Sequence, residues 1–135
     1  MSPILGGQTG CLSVWGGSTL GSMVTDDPAI TNADLYSVLW ENDFVRVLEY
    51  RDTPGTSSTP HDHPNSVMIT LSDFRRRLST GDRQLEVALP SGQAVWLPAQ
   101  RHHGENIGDT STHVIFVELK GASAGDVGPG VLGPD

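Results

Sequence analysis

Cysteine is nearly absent: the 135 residues hold one, Cys11. A lone thiol excludes an internal disulfide and a zinc site built from cysteines. Positive charge is also scarce, with 8 Lys plus Arg against 16 Asp plus Glu. Neutralising phosphates takes a clustered basic surface, so neither nucleic acid nor an anionic membrane is expected as a partner. No apolar run approaches the length of a transmembrane helix. The first residues carry none of the positive charge of a secretory signal. These absences lead to the expectation of a soluble, cytoplasmic protein, and the length fits one domain.

Charge is missing altogether from residues 1–25, which hold six glycines. Residues 121–135 hold five more, with Pro129 and Pro134. The expected organisation is therefore a Gly-rich extension over 1–25, a folded domain over 26–120 and a Gly/Pro-rich tail over 121–135. Both ends are expected to have little regular structure of their own. The first still carries Ile4, Leu5, Leu12, Val14, Trp15 and Leu20, apolar residues able to pack on the domain or on a neighbouring subunit.

The middle reads as short strands between turn signals. Phe44–Arg51, Ser66–Leu71, Phe74–Leu78, Gln84–Leu89, Ala94–Leu97 and His113–Leu119 are β-rich. Thr53-Pro54-Gly55, Ser72-Asp73, Gly81-Asp82 and Pro90-Ser91-Gly92 separate them. Such spacing predicts an all-β sandwich or barrel. One short helix is expected over Asn32–Leu39, capped by Thr31 or Asn32.

Five histidines are present, and their placement carries the chemistry: His61, His63, His102, His103 and His113. On a strand, residues i and i+2 share a face, so His61 and His63 present two imidazoles to one point. A second strand bringing in His102 or His103 completes a three-nitrogen site suited to zinc, iron, copper or nickel. Adjacent strand residues face opposite ways, so only one of that pair is expected to bind. The competing reading is a set of surface histidines in a Pro-rich turn. His113 opens a strand and reads as a solvated edge histidine, and Asp62 points away from its neighbours.

Gly55, five residues, then His61-Asp62-His63 resembles the first motif of the cupins. Gly92, five residues, Pro98, then His102 with Asn106 four residues later resembles the second. The resemblance spans about Glu41 to Leu119. It implies a single cupin domain, a double-stranded β-helix or jelly-roll barrel, commonly dimeric, and a metal held by His61, His63 and His102. It does not imply a reaction, because this fold hosts many chemistries.

The chain departs from the family pattern in two places. The acidic ligand expected after His63 falls at Val67 or Met68, which leaves a three-histidine set similar to that of the diketone-cleaving cupin dioxygenases. Gln100 stands where a glycine is usual after Pro98, and the spacing is one residue short. Spacing from Asn106 selects His102 as third ligand, spacing from Pro98 selects His103, and the former is preferred.

The resemblance implies a divalent transition metal, iron or zinc first, with nickel, manganese or copper as alternatives. It implies a metal-dependent enzyme on a small organic substrate. Iron would give a dioxygenase, and zinc a cyclase, isomerase, dehydratase or lyase, as for cupins that cyclise polyketides. A non-catalytic barrel that binds a metal or a small molecule is the alternative.

Expected wall residues are Val67, Trp96 and Phe116, with Glu49 and Glu118 as carboxylates facing the cavity. Arg75 and Arg77 share one strand face, opposite Arg76. That face either binds a carboxylate or phenolate substrate or keeps an edge strand soluble.

Overall fold

The computed structural model describes residues 26–135. Cys11 and the apolar residues of the N-terminal extension lie outside that range. A short helix α1 (Pro28–Thr31) precedes nine strands. These are β1 (Tyr36–Glu41), β2 (Val45–Asp52), β3 (His61–His63), β4 (Ser66–Thr70), β5 (Phe74–Thr80), β6 (Arg83–Leu89), β7 (Ala94–Leu97), β8 (Gln100–Asn106) and β9 (Thr112–Leu119). A single 3-10 turn follows at Gly121–Ala124.

The strands form two sheets, β1-β2-β9-β4-β7 and β3-β8-β5-β6. Every pairing is antiparallel. The sheets face one another, and no ladder joins them edge to edge among the described residues. The barrel is thus a two-sheet sandwich of jelly-roll type.

Alternation sets the inner faces. β4 and β9 bury every second residue, which turns Ser66, Met68 and Thr70 inward beside Val114, Phe116 and Glu118. The opposite sheet contributes Phe74, Arg76 and Leu78 from β5 and Gln100, His102 and Asn106 from β8. Leu48, Tyr50, Met68, Phe74, Leu97, Val114 and Phe116 form the apolar core with Tyr36. At roughly 25 cal/mol per Å² of buried apolar surface, this cluster is the main favourable term in folding. The glycines that open the two histidine motifs, Gly55 and Gly92, have φ of 88° and 87°. Nothing stands near a Cβ at either position. The left-handed backbone, rather than crowding, therefore selects glycine there.

The expected short helix is present, but earlier in the chain than Asn32–Leu39. Asp27 caps it, its Oδ1 accepting from Ala29 N at 2.9 Å, and Pro28 takes the first helical position. Asn32 ends the helix instead of starting one. Tyr36–Glu41 is recruited as an edge strand by β2, an override of local preference by tertiary pairing.

The C-terminal tail has little regular structure beyond the 3-10 turn, yet it is tied to the domain. Gly133 is buried and exchanges two hydrogen bonds with the Gln100 side chain, at 2.8 and 3.1 Å. Asp135 N donates to Trp96 O at 2.8 Å.

Candidate metal centre

β3 is three residues long, and its outer residues both turn inward. Pairing with β8 sets His61 opposite His102 and His63 opposite Gln100. The three imidazoles therefore converge from two adjacent strands. One ligand atom from each of His61, His63 and His102 lies within 4.8 Å of the other two. All three rings are buried. On the outer face of the same pairing, Asp62 and Arg101 meet at 3.2 Å, pointing away from the histidines as expected.

Each ring has an oxygen behind it. His61 Nδ1 donates to Thr59 O at 2.6 Å. His102 Nδ1 donates to Gln100 Oε1 at 2.7 Å. His63 Nδ1 faces Glu118 Oε2 at 3.8 Å. A proton on Nδ1 of His61 and His102 satisfies the Thr59 and Gln100 oxygens, and one on His63 Nδ1 faces Glu118 Oε2 beyond hydrogen-bond distance; the Nε2 atoms then keep their lone pairs. His61 Nε2 and His63 Nε2 are then 3.1 Å apart with no proton between them. Facing lone pairs at that distance repel, and a cation between them relieves the repulsion. The alternative tautomer of His63 would aim its Nδ1 lone pair at a carboxylate oxygen, and neither atom has a hydrogen-bond partner among the described residues. The donor set thus fits a divalent transition metal, with supporting oxygens of the kind that orient ligating histidines.

The supports are themselves anchored. Asn32 Oδ1 accepts from Thr59 N at 2.9 Å, which fixes the residue whose carbonyl holds His61. Arg46 holds Glu118 at 2.8 Å and Asp27 at 2.7 Å. Gln100 Oε1 is shared between His102 and Gly133 N. Replacing Gln100 with alanine should lower metal affinity roughly 10- to 100-fold, because His102 loses the acceptor that sets its tautomer. Competition against a zinc chelator measures this, and unchanged affinity would remove Gln100 from the site.

Burial keeps the ring of His61 neutral, its pKa pushed down to about 3, with the neighbouring His63 adding to the effect. Burial also pushes His102 well below its ordinary 6.5. Both rings are therefore ready to ligate at neutral pH. In metal-free protein the unfolded chain binds protons at these residues before the folded chain does. Stability should accordingly be full above about pH 6.5 and fall as pH drops toward 3. Thermal unfolding of chelator-treated protein across that range checks this, and a flat profile would contradict it.

Several expected wall residues lie elsewhere. His103 is exposed on the outer face of β8. Val67 and Trp96 pair with each other on the outer face of the five-stranded sheet, and Trp96 is 37% exposed. Met68, not Val67, occupies the inward position after the histidine pair. Arg75 and Arg77 point outward to Glu86 and Glu105, at 3.1 and 3.3 Å, and Arg76 faces in. Glu49 lies outside too, 2.8 Å from His113. Phe116 lines the cavity, and Glu118 is buried behind His63. The cavity holds about 50 Å³ and is walled mainly by apolar side chains, with Tyr36, Arg76, His61, His102 and Pro134 among its lining. Tyr36 was not anticipated: its hydroxyl is 3.5 Å from His61 Nε2.

No family model matches the chain, and no curated protein matches it in sequence. Solved structures do match. A cupin domain from Bordetella pertussis Tohama I is 25% identical, covers 64% of this chain and 93% of its own, and superposes with a TM-score of 0.60. A protein with a double-stranded β-helix domain from Klebsiella pneumoniae is 22% identical over 67% of this chain and 79% of its own, with a TM-score of 0.52. A cupin of the RmlC-like family from Methanocaldococcus jannaschii is 15% identical over 63% and 78%, with a TM-score of 0.52. Among the described residues, no helix is long and apolar enough to cross a membrane.

Proposed function

We propose that this chain, a cupin by fold, is a metal-dependent enzyme acting on a small organic molecule. The observation that carries the reading is the convergence of three buried imidazoles, each with an oxygen facing its Nδ1. His61, His63 and His102 would hold the ion. With no carboxylate among the ligands, a divalent metal supplies an undiminished Lewis-acid charge, and iron would add oxygen chemistry.

The protein's own part is positioning and exclusion of water. Met68, Leu97, Val114 and Phe116 wall the space beside the histidines. An iron dioxygenase is the first form of the reading, supported by the all-imidazole set and this apolar wall. A non-oxidative zinc enzyme, a cyclase, isomerase, dehydratase or lyase, is the second. Tyr36 and Arg76 favour it, because they put a hydrogen-bonding hydroxyl and an anion holder into the same cavity. Burial raises the pKa of the Tyr36 hydroxyl, so it keeps its proton.

Elemental analysis of protein purified without a metal-affinity tag tests the proposal. Near-stoichiometric metal in the native protein, lost in a His61→Ala, His102→Ala double variant, supports it. Iron then directs oxygen-uptake assays, and zinc directs elimination and cyclisation assays. Absence of metal, with none taken up on reconstitution, refutes it. Bound metal without turnover would leave a binding module.

A further inference from the structure

Arg76 is the one member of the arginine run that turns inward, and it is 9% exposed. One edge of its guanidinium is pinned. Nη1 donates to Asp52 Oδ2 at 2.5 Å and to Thr112 Oγ1 at 3.4 Å. Its carbon lies 5.0 Å from the centre of the Tyr50 ring. The other edge is open: Nη2 has no acceptor among the described residues and points toward Gly104. A methyl group on Gly104 would sit 2.8 Å from Nη2. Gly104 therefore clears room for this nitrogen.

A structural Arg–Asp pair gains most when both nitrogens of the fork engage both carboxylate oxygens. Asp52 does not do this. Its Oδ1 is taken by Asn106 Nδ2 at 2.9 Å and Thr112 N at 3.2 Å. Its Oδ2 also accepts from the Tyr50 hydroxyl. The carboxylate is saturated by four residues, and half of the arginine fork is left facing the cavity that His61 and His102 also line.

We infer that Arg76 is a specificity-determining residue whose free edge anchors the carboxylate of a small organic acid, holding the rest of that acid toward the three histidines. This rests on the metal-enzyme reading for the role of the far end of the cavity. The planar fork suits a carboxylate. Asp52 already balances the charge of Arg76, so a monoanion is favoured over a dianion. A space of about 50 Å³ admits an acid of only a few carbons.

The test uses propionate and its neutral analogue propionamide, titrated into zinc-loaded and into chelator-treated protein. Side-chain nitrogen resonances of Arg76 and calorimetric affinity are both read. Propionate should shift the Arg76 signals in both preparations, and propionamide should not. Arg76→Lys, which keeps the charge and loses the fork, should weaken propionate at least tenfold with zinc content unchanged. Arg76→Met should abolish binding. Should the methionine variant not fold, the wild-type resonances and the lysine variant decide. Unmoved Arg76 signals, or equal propionate affinity in wild type and Arg76→Lys, would overturn the inference. Propionate that perturbs only the histidines would do the same. Failure of the wild type to take up zinc would sink the metal reading, yet Arg76 signals that still respond in chelator-treated protein would keep the anion site.

Discussion

Alanine at His102 should strip the protein of its metal, and alanine at His103 should leave the metal in place. The two residues are neighbours in sequence but lie on opposite strand faces, so the contrast reports ligation once both variants are shown to be folded. His102 is buried, faces His61 across the β3–β8 pairing and is oriented by Gln100. His103 stands on the opposite face of β8, exposed. Removing a supporting acceptor costs about 10- to 100-fold in metal affinity, and removing the ligand itself should exceed that range. Two nitrogens then remain where three converged. Metal content after dialysis, with circular dichroism to establish folding, measures the outcome. Retention of metal by His102→Ala, or its loss from His103→Ala, would displace the centre from where the geometry puts it.

That contrast also shows how far the sequence could be read. Strand parity placed His61 and His63 on one face and limited the third ligand to one of His102 and His103; the spacing to Asn106 preferred His102, which the β3–β8 pairing sets opposite His61. Parity failed wherever a turn intervened. Pro64 and Asn65 break the alternation after His63, so counting forward did not separate Val67 from the inward Met68. The arginine run follows the turn at Ser72-Asp73, and only the inward Phe74 at the start of β5 shows that Arg76 shares its face. Gln100 had a usable signal, since it sits two residues before His102 on the same strand face. Its role as the acceptor for His102 depends on a rotamer, which no spacing reveals. Tyr36 was hidden by a helical reading of its segment, and its closeness to His61 follows from β1 pairing with β2. Tail contacts were hidden for a related reason: Gly133 meets Gln100 through backbone groups, which composition does not encode.

The largest expected loss of stability comes from Asp52→Ala, a residue that no motif singles out. Four residues donate to this carboxylate: Tyr50, Arg76, Asn106 and Thr112. Its side chain is fully buried at the end of β2, where the two sheets approach. Alanine would leave the Arg76 charge buried without a counterion and orphan the other donors. Breaking a buried pair from one side costs about 3–5 kcal/mol, which corresponds to a fall of roughly 10–20 °C in Tm for a domain of this size. Removing the cation as well, in Asp52→Ala with Arg76→Met, should recover part of that loss, since no unpaired charge then remains. Its hydrogen bonds and Arg76 hold the pKa of Asp52 below 3.8 despite the opposing effect of burial. The unfolded chain therefore takes up this proton first as pH falls. The stabilisation is complete above pH 3.8 and disappears as pH drops through the lower folded-state value. Urea unfolding of the single and double variants at pH 7 and near pH 3 reads both effects. A single variant within about 1 kcal/mol of wild type at pH 7 would mean that water replaces the carboxylate, and that the cavity beside Arg76 is already wet.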